Sequence, residues 1–257
     1  MSDRRAGKRQ SFDETADALP SFQNGLANDP ALRADIFFGL EKSSFDRQSY
    51  DPQTMDWRNR INAPLVRRQG KWNSCLSCAS VATVEARRQI GNHPARLLSP
   101  GFLHSCIGGI HTSEEVPFYP KLLDQGQQSG MAISNDQSFP VDATTCAISE
   151  RARYTSHRWV TGIEAILDDL NANGPLIAVM LIDGDFARHT GSAIYGDGDP
   201  DRGTQRHAVI VLGYDLPSNF AIIQNSMGTD WGVEGIGRIR IGTGGLLTRR
   251  SGIAISI

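Results

Sequence analysis

The stretch CLSCASVATVEA, starting at Cys75, is small or apolar at almost every position and gives way to charged residues before Gly91 and Pro94. This pattern predicts a helix from Cys75 to about Ile90, with Ser74 as its N-cap and a start buried on all sides. Shorter helices are predicted at Gly101–Cys106 and Ser113–Gln125. Gly162–Asn173 carries Ile163, Ile166, Leu167 and Leu170 at helical spacing and stops at Asn173-Gly174-Pro175. The period then changes. Leu176–Ile182, His207–Tyr214, Phe220–Gln224 and Gly235–Ile241 are β-rich runs separated by Gly, Pro, Asn and Asp. Helices first and antiparallel strands second predict an α+β domain over 56–257, with a helical subdomain at about 70–160 and a β subdomain at about 161–257. Residues 1–55 are rich in charge and in Asn, Asp, Ser and Gln, with one modest helical stretch from Pro30 to Leu40. They read either as an N-terminal arm or as a short pro-segment.

Two places in this pattern carry chemistry. HAVIVLGYD and NFAIIQNS form a hairpin around Leu216-Pro217-Ser218, so His207 should face Asn225 or a residue just beyond it, at the open end of a sheet. Cys75 falls in the first turn of a helix, where free backbone N–H groups and the helix dipole favour a thiolate. Each has an ordinary explanation when taken alone: polar residues ending a hairpin, and a small buried hydrophobe.

Composition narrows the class. The formal charge is −2 and the pI about 6.3, without the basic excess of a nucleic-acid binder. The longest apolar run, Leu176–Ile182, is far short of the ~20 residues that span a bilayer. No apolar segment follows MSDRRAGKRQ, so a Sec signal peptide is not expected, which leaves a cytoplasmic location or export by a non-Sec route. Four cysteines are too few for a disulfide scaffold. No cofactor and no metal are expected, and a monomer is favoured.

Taken together, these residues resemble the papain family of cysteine peptidases. DWR at 56–58, LVRRQG at 65–70 followed by NSC at 73–75, LSPGFLHSC at 98–106 and Gly108-Gly109 are similar to that family's helical half. HAVIVLGYD at 207–215 and IIQNSMGTDWGVEGIGRIRIG at 222–242 are similar to its β half. The blocks lie in the family's order over about 200 residues, and 132 residues separate Cys75 from His207, within the expected ~130–150. The resemblance implies a papain-like fold, a helical subdomain packed on an antiparallel β-barrel-like subdomain with the active-site cleft between them. It also implies a thiol endopeptidase acting on a peptide or protein through a covalent thioester. Cys75 would be the nucleophile, His207 its proton partner and Asn225 the group that orients the imidazole. Gln69 would share an oxyanion hole with the Cys75 N–H. Trp231 would shield the His–Asn bond, Gly108 and Gly109 would offer bare backbone to substrate, and His111 and Arg249 would line a specificity pocket. Cys106 and Cys146 match a disulfide-linked pair of the family, and Cys78 reads as a buried thiol.

The chain departs from the family at Trp72 (a cysteine there), Leu76 (an aromatic) and Met227 (a tryptophan). Arg206, beside His207, should disfavour the imidazolium. Cys75-Leu-Ser-Cys78 also has redox-motif spacing, but Arg-Arg-Gln-Gly-Lys rather than an apolar strand leads into it. The alternatives are a protein deamidase or acyltransferase using the same triad, and a degenerate papain-like binding module.

Overall fold

The structure is a computed structural model; it describes residues 45–257 apart from 63, 114–118 and 249–251. Strand β1 (Thr54–Asp56) precedes helix α1 (Cys75–Ile90), whose bounds are those predicted. A π-helical turn spans Phe102–Ile107, and α2 (Tyr119–Ser129) follows. A two-stranded sheet, β2 (Met131–Ala132) with β3 (Arg151–Ala152), encloses the short α3 (Ala143–Cys146). Then come β4 (Ser156–Val160), α4 (Ile163–Asn173), β5 (Leu176–Ile182), the one-turn α5 (Gly184–Ala187) and β6 (Ile194–Tyr195). The chain closes with β7 (Gln205–Asp215), β8 (Phe220–Gln224), β9 (Ile236–Arg240) and β10 (Gly252–Ser256). The predicted helix Pro30 to Leu40 lies outside the described residues.

The large sheet runs β4-β10-β5-β7-β8-β9-β6, with β1 added to the end of β7; every pairing is antiparallel except β6 with β9. Its members β1 and β4 come from outside the predicted strand-rich half. Gly213 is what admits β1, because a Cβ there would strike the Met55 backbone. The same region carries a register shift between Val211 and Gly213, a local extra residue that turns the strand.

Helix α1 is buried from Cys75 to Arg87, as its composition requires. One side of it closes an apolar cluster with Ile210, Leu212, Phe220 and Ile222 of the sheet. Another packs with Leu103, Leu122, Leu123 and Ile253. Each such aliphatic side chain contributes about 1.5–3 kcal/mol on burial. Two buried ion pairs then set the helix's position. Arg67, in the approach to α1, donates to Glu85 at 2.6 Å and to the Leu98 carbonyl, and Arg87 donates to Asp169 of α4 at 2.7 Å. The head of α1 is thereby held against the end of β7 where His207 stands.

Candidate active site

Cys75 is the first residue of α1. Ser74 occupies the cap position but makes no side-chain cap bond, contrary to its expected role; it is itself fully buried, and its carbonyl accepts from Cys78 N–H at 2.9 Å. The first-turn donors are therefore not consumed by a capping hydroxyl. Burial pushes the Cys75 thiol up to about 11, while the backbone N–H groups of Ala208, Leu76 and Cys75 itself pull the other way. Ala208, the residue after His207, packs in the same apolar cluster as Cys75, so the sulfur and the imidazole come from adjoining elements.

On the sheet, Ile210 faces Gln224 and Val211 faces Ile223. Continuing that register brings His207 opposite Met227, two residues beyond Asn225. Asn225 has left the strand, with its N–H held by the Gly235 carbonyl at 2.9 Å, and its side chain reaches back diagonally. His207 Nε2 and Asn225 Oδ1 are 2.7 Å apart, and Oδ1 also accepts the Ser226 N–H at 2.8 Å. An oxygen that accepts twice cannot donate, so Nε2 carries the proton and Nδ1 keeps a free lone pair. Nδ1 has no hydrogen-bond partner. Burial lowers the imidazole to about 4, and the Asn225 hydrogen bond opposes it. The side chain of Arg206, the residue before His207, leaves the opposite face of β7 by strand alternation, and burial is the dominant cause of the lowered imidazole.

Gln69 lies between the two halves. Its N–H donates to the Ser226 carbonyl at 2.8 Å and its Oε1 accepts from Ser226 Oγ at 2.6 Å, which ties it to the residue after Asn225. Its Nε2 donates one proton to the Trp72 carbonyl at 2.7 Å and has a second to offer. The chain leading into α1 is thus sewn directly to the His207–Asn225 corner.

The sequence from 51 to 255 matches the family model described as papain family cysteine protease. The chain belongs to the papain family. It is 26% identical over 204 residues to a cathepsin L-like proteinase of Phaedon cochleariae, covering 73% of this chain and 60% of that protein. It is 29% identical over 199 residues to cysteine proteinase 3 of Entamoeba histolytica, with coverages of 72% and 61%. The chain thus spans about three-fifths of the length of these relatives. In fold it is similar to the bromelain protease of Ananas comosus solved with the E64 inhibitor, at a TM-score of 0.66 and 20% identity, covering 80% of this chain and 99% of that one.

Other papain-family positions can be placed on this frame. Gly109 has φ +70 and open space where a Cβ would be, but its N–H already donates to the Ser105 carbonyl at 3.0 Å. Gly108 closes the π-helical turn, its N–H on the Leu103 carbonyl at 2.9 Å, so it serves the turn and not an open backbone edge. Cys106 and Cys146 are disulfide-bonded with Cα atoms 5.5 Å apart, which fastens this loop to α3. His111 is exposed on the loop that follows, and Arg249 lies outside the described residues.

The expected shield is rearranged. Trp231 is 2% exposed, and among the described residues its ring neighbours are Phe186 and His189. The ring set against His207 is Phe186, with centroids 5.8 Å apart, and Trp231 backs it by donating Nε1–H to the Phe186 carbonyl at 2.6 Å. Gly237 makes room for this, since a Cβ there would meet the indole. Sequence reasoning missed Phe186. Its only local signal was Asp183, which caps α5 by accepting the Phe186 N–H at 2.9 Å. Trp72 joins His104 and Phe139 in an aromatic cluster, Leu76 is fully buried, and Met227 packs against the main core. The departures from the family are thus absorbed by packing.

Proposed function

We propose that this chain is a cysteine endopeptidase in which Cys75 attacks the peptide carbonyl. His207 Nδ1 takes the thiol proton and passes it to the leaving amine, and Asn225 holds the ring in the required tautomer. The observation that carries this reading is the His207–Asn225 bond of 2.7 Å, which leaves Nδ1 unprotonated and unpartnered beside the head of α1. In the resting site both groups are neutral: the thiol lies well above neutral pH and the imidazole well below it. Proton transfer from sulfur to Nδ1 therefore accompanies attack. The oxyanion that forms would be met by the Cys75 N–H and the second proton of Gln69 Nε2. A thioester on Cys75 and a free amine result; a water, deprotonated by His207, then releases the acid. The two relatives named above, a cathepsin L-like proteinase and a cysteine proteinase, support the reaction class.

An epoxysuccinyl thiol-peptidase inhibitor tests the nucleophile. One adduct per chain is expected on Cys75, with Cys78 unlabelled, and the Cys75→Ala variant should fold but cleave no peptide. Residual cleavage by that variant, or an adduct elsewhere, would overturn the assignment. Release of ammonia from a glutamine side chain with no peptide bond cut would replace hydrolysis by deamidation.

A further inference from the structure

The site holds a second thiol for which the peptidase chemistry has no use. Cys78 lies one turn below Cys75 on α1, and both are free and buried, at 3% and 4% exposure. Residues three apart on a helix share a face, with Cβ atoms about 5–6 Å apart. A disulfide needs Cα atoms within about 4.4–6.8 Å and Cβ atoms at about 3.5–4.5 Å. Closing the gap takes about 1–2 Å by these ranges, in a first turn whose N-cap side chain makes no capping bond to the backbone. Burial pushes the Cys78 thiol up to about 12, the Arg67 guanidinium draws it down, charge on Cys75 raises it further and the Ser74 side chain lowers it. The Cys106–Cys146 pair is elsewhere and already joined.

We infer that Cys78 is a resolving thiol for Cys75, so that a hydroperoxide converts the pair to a Cys75–Cys78 disulfide, reversibly switching off the peptidase. This rests on Cys75 being the nucleophile. In the first step the Cys75 sulfur, its proton passed to His207, attacks the hydroperoxide. The O–O bond breaks, the sulfur becomes a sulfenic acid, and the departing oxygen takes the proton as water or an alcohol. In the second step the Cys78 sulfur attacks Cys75 Sγ. The S–S bond forms, the S–O bond breaks, and hydroxide leaves with the Cys78 proton as water. Two thiols are oxidised by two electrons and one hydroperoxide is reduced. A dithiol restores both thiols and is itself oxidised. A lone nucleophilic cysteine in the same position would continue to the sulfinic acid, which a dithiol does not reverse. A buried thiol one turn away intercepts it.

The test uses hydrogen peroxide on the full chain, followed by thiol alkylation and tryptic mapping. Cleavage after Lys71 and Arg87 places Cys75 and Cys78 alone together in peptide 72–87, which has no methionine to confuse the masses. The expected result is a peptide about 2 Da lighter that resists alkylation, with lost activity that dithiothreitol returns. Cys78→Ser should keep its basal activity, but peroxide should make its peptide about 32 Da heavier and its loss permanent. Prior labelling of Cys75 by the epoxysuccinyl inhibitor should block the 2 Da loss. The inference fails if the wild-type peptide gains about 32 Da while two thiols never join, or if Cys78→Ser recovers as fully as wild type. The masses are read whether or not the chain cleaves peptides, so an inactive protein would sink the peptidase reading separately.

Discussion

The state of His207 can be tested through folding itself. The imidazole is buried at 1% exposure and its pKa falls from 6.5 to about 4. The unfolded chain therefore binds a proton on this residue between those two values while the folded chain does not. The contribution to stability is fully present above about 6.5 and is lost as pH falls through 6.5 towards 4. At about 1.4 kcal/mol per pH unit, the loss from this single group is about 3 kcal/mol. The comparison is best made in a Cys75→Ala background, which removes self-cleavage, with and without His207→Gln, which does not titrate. Urea unfolding at pH 7.5 and at pH 4 gives four stabilities. All carboxylates contribute equally to both backgrounds and cancel. The parent should lose about 3 kcal/mol more than the His207→Gln chain, which is a difference of about 1–2 M in midpoint. Equal losses in the two chains would mean that His207 titrates in the folded chain as it does in the unfolded one, and the imidazole lowered by burial described above would be wrong.

Peptidase activity should itself fall on the acid side as His207 is protonated near pH 4 and can no longer accept the thiol proton, which a kcat profile would show. Gln69→Ala should lower kcat by about 10²–10³ with KM little changed, because its amide meets charge that exists only after attack; a change confined to KM would place Gln69 in substrate binding. Glu85→Ala should destabilise the fold by about 3–5 kcal/mol in thermal or urea unfolding, since it leaves the Arg67 guanidinium buried at 3% side-chain exposure without its carboxylate. Phe186→Ala should cost about 3–5 kcal/mol by removing the ring between Trp231 and His207. A loss below about 1 kcal/mol would show that the site does not depend on that ring.

Much of this protein is written locally. The bounds of α1, β5 and β8 follow from runs of apolar residues stopped by Gly, Pro and Asn, because helix and strand periods are properties of neighbouring residues. Cys75, His207 and Asn225 stood out as candidates for the same reason, each lying at or near the end of a well-marked element and in the order of a recognisable family. The rest depends on contacts between residues far apart in the chain. The meeting of β1 with Gly213, and of β4 with β10, needs a partner strand's free edge, which no local pattern announces. The register that carries Asn225 diagonally to His207 was set by a bulge one strand position away from a glycine, and by Gly235 holding the Asn225 N–H. Phe186 became the ring over the imidazole only because α5 folds back onto β5 and the indole of Trp231. Burial, too, belongs to the tertiary structure. Arg206 looked like the residue that would set the charge of its neighbour, yet it is the exclusion of water from His207 by distant side chains that does so. The sequence by itself determined which chemical groups are present and which elements present them. The tertiary structure decided how closely those groups approach and how dry they are, because distance and solvation arise only when remote segments pack.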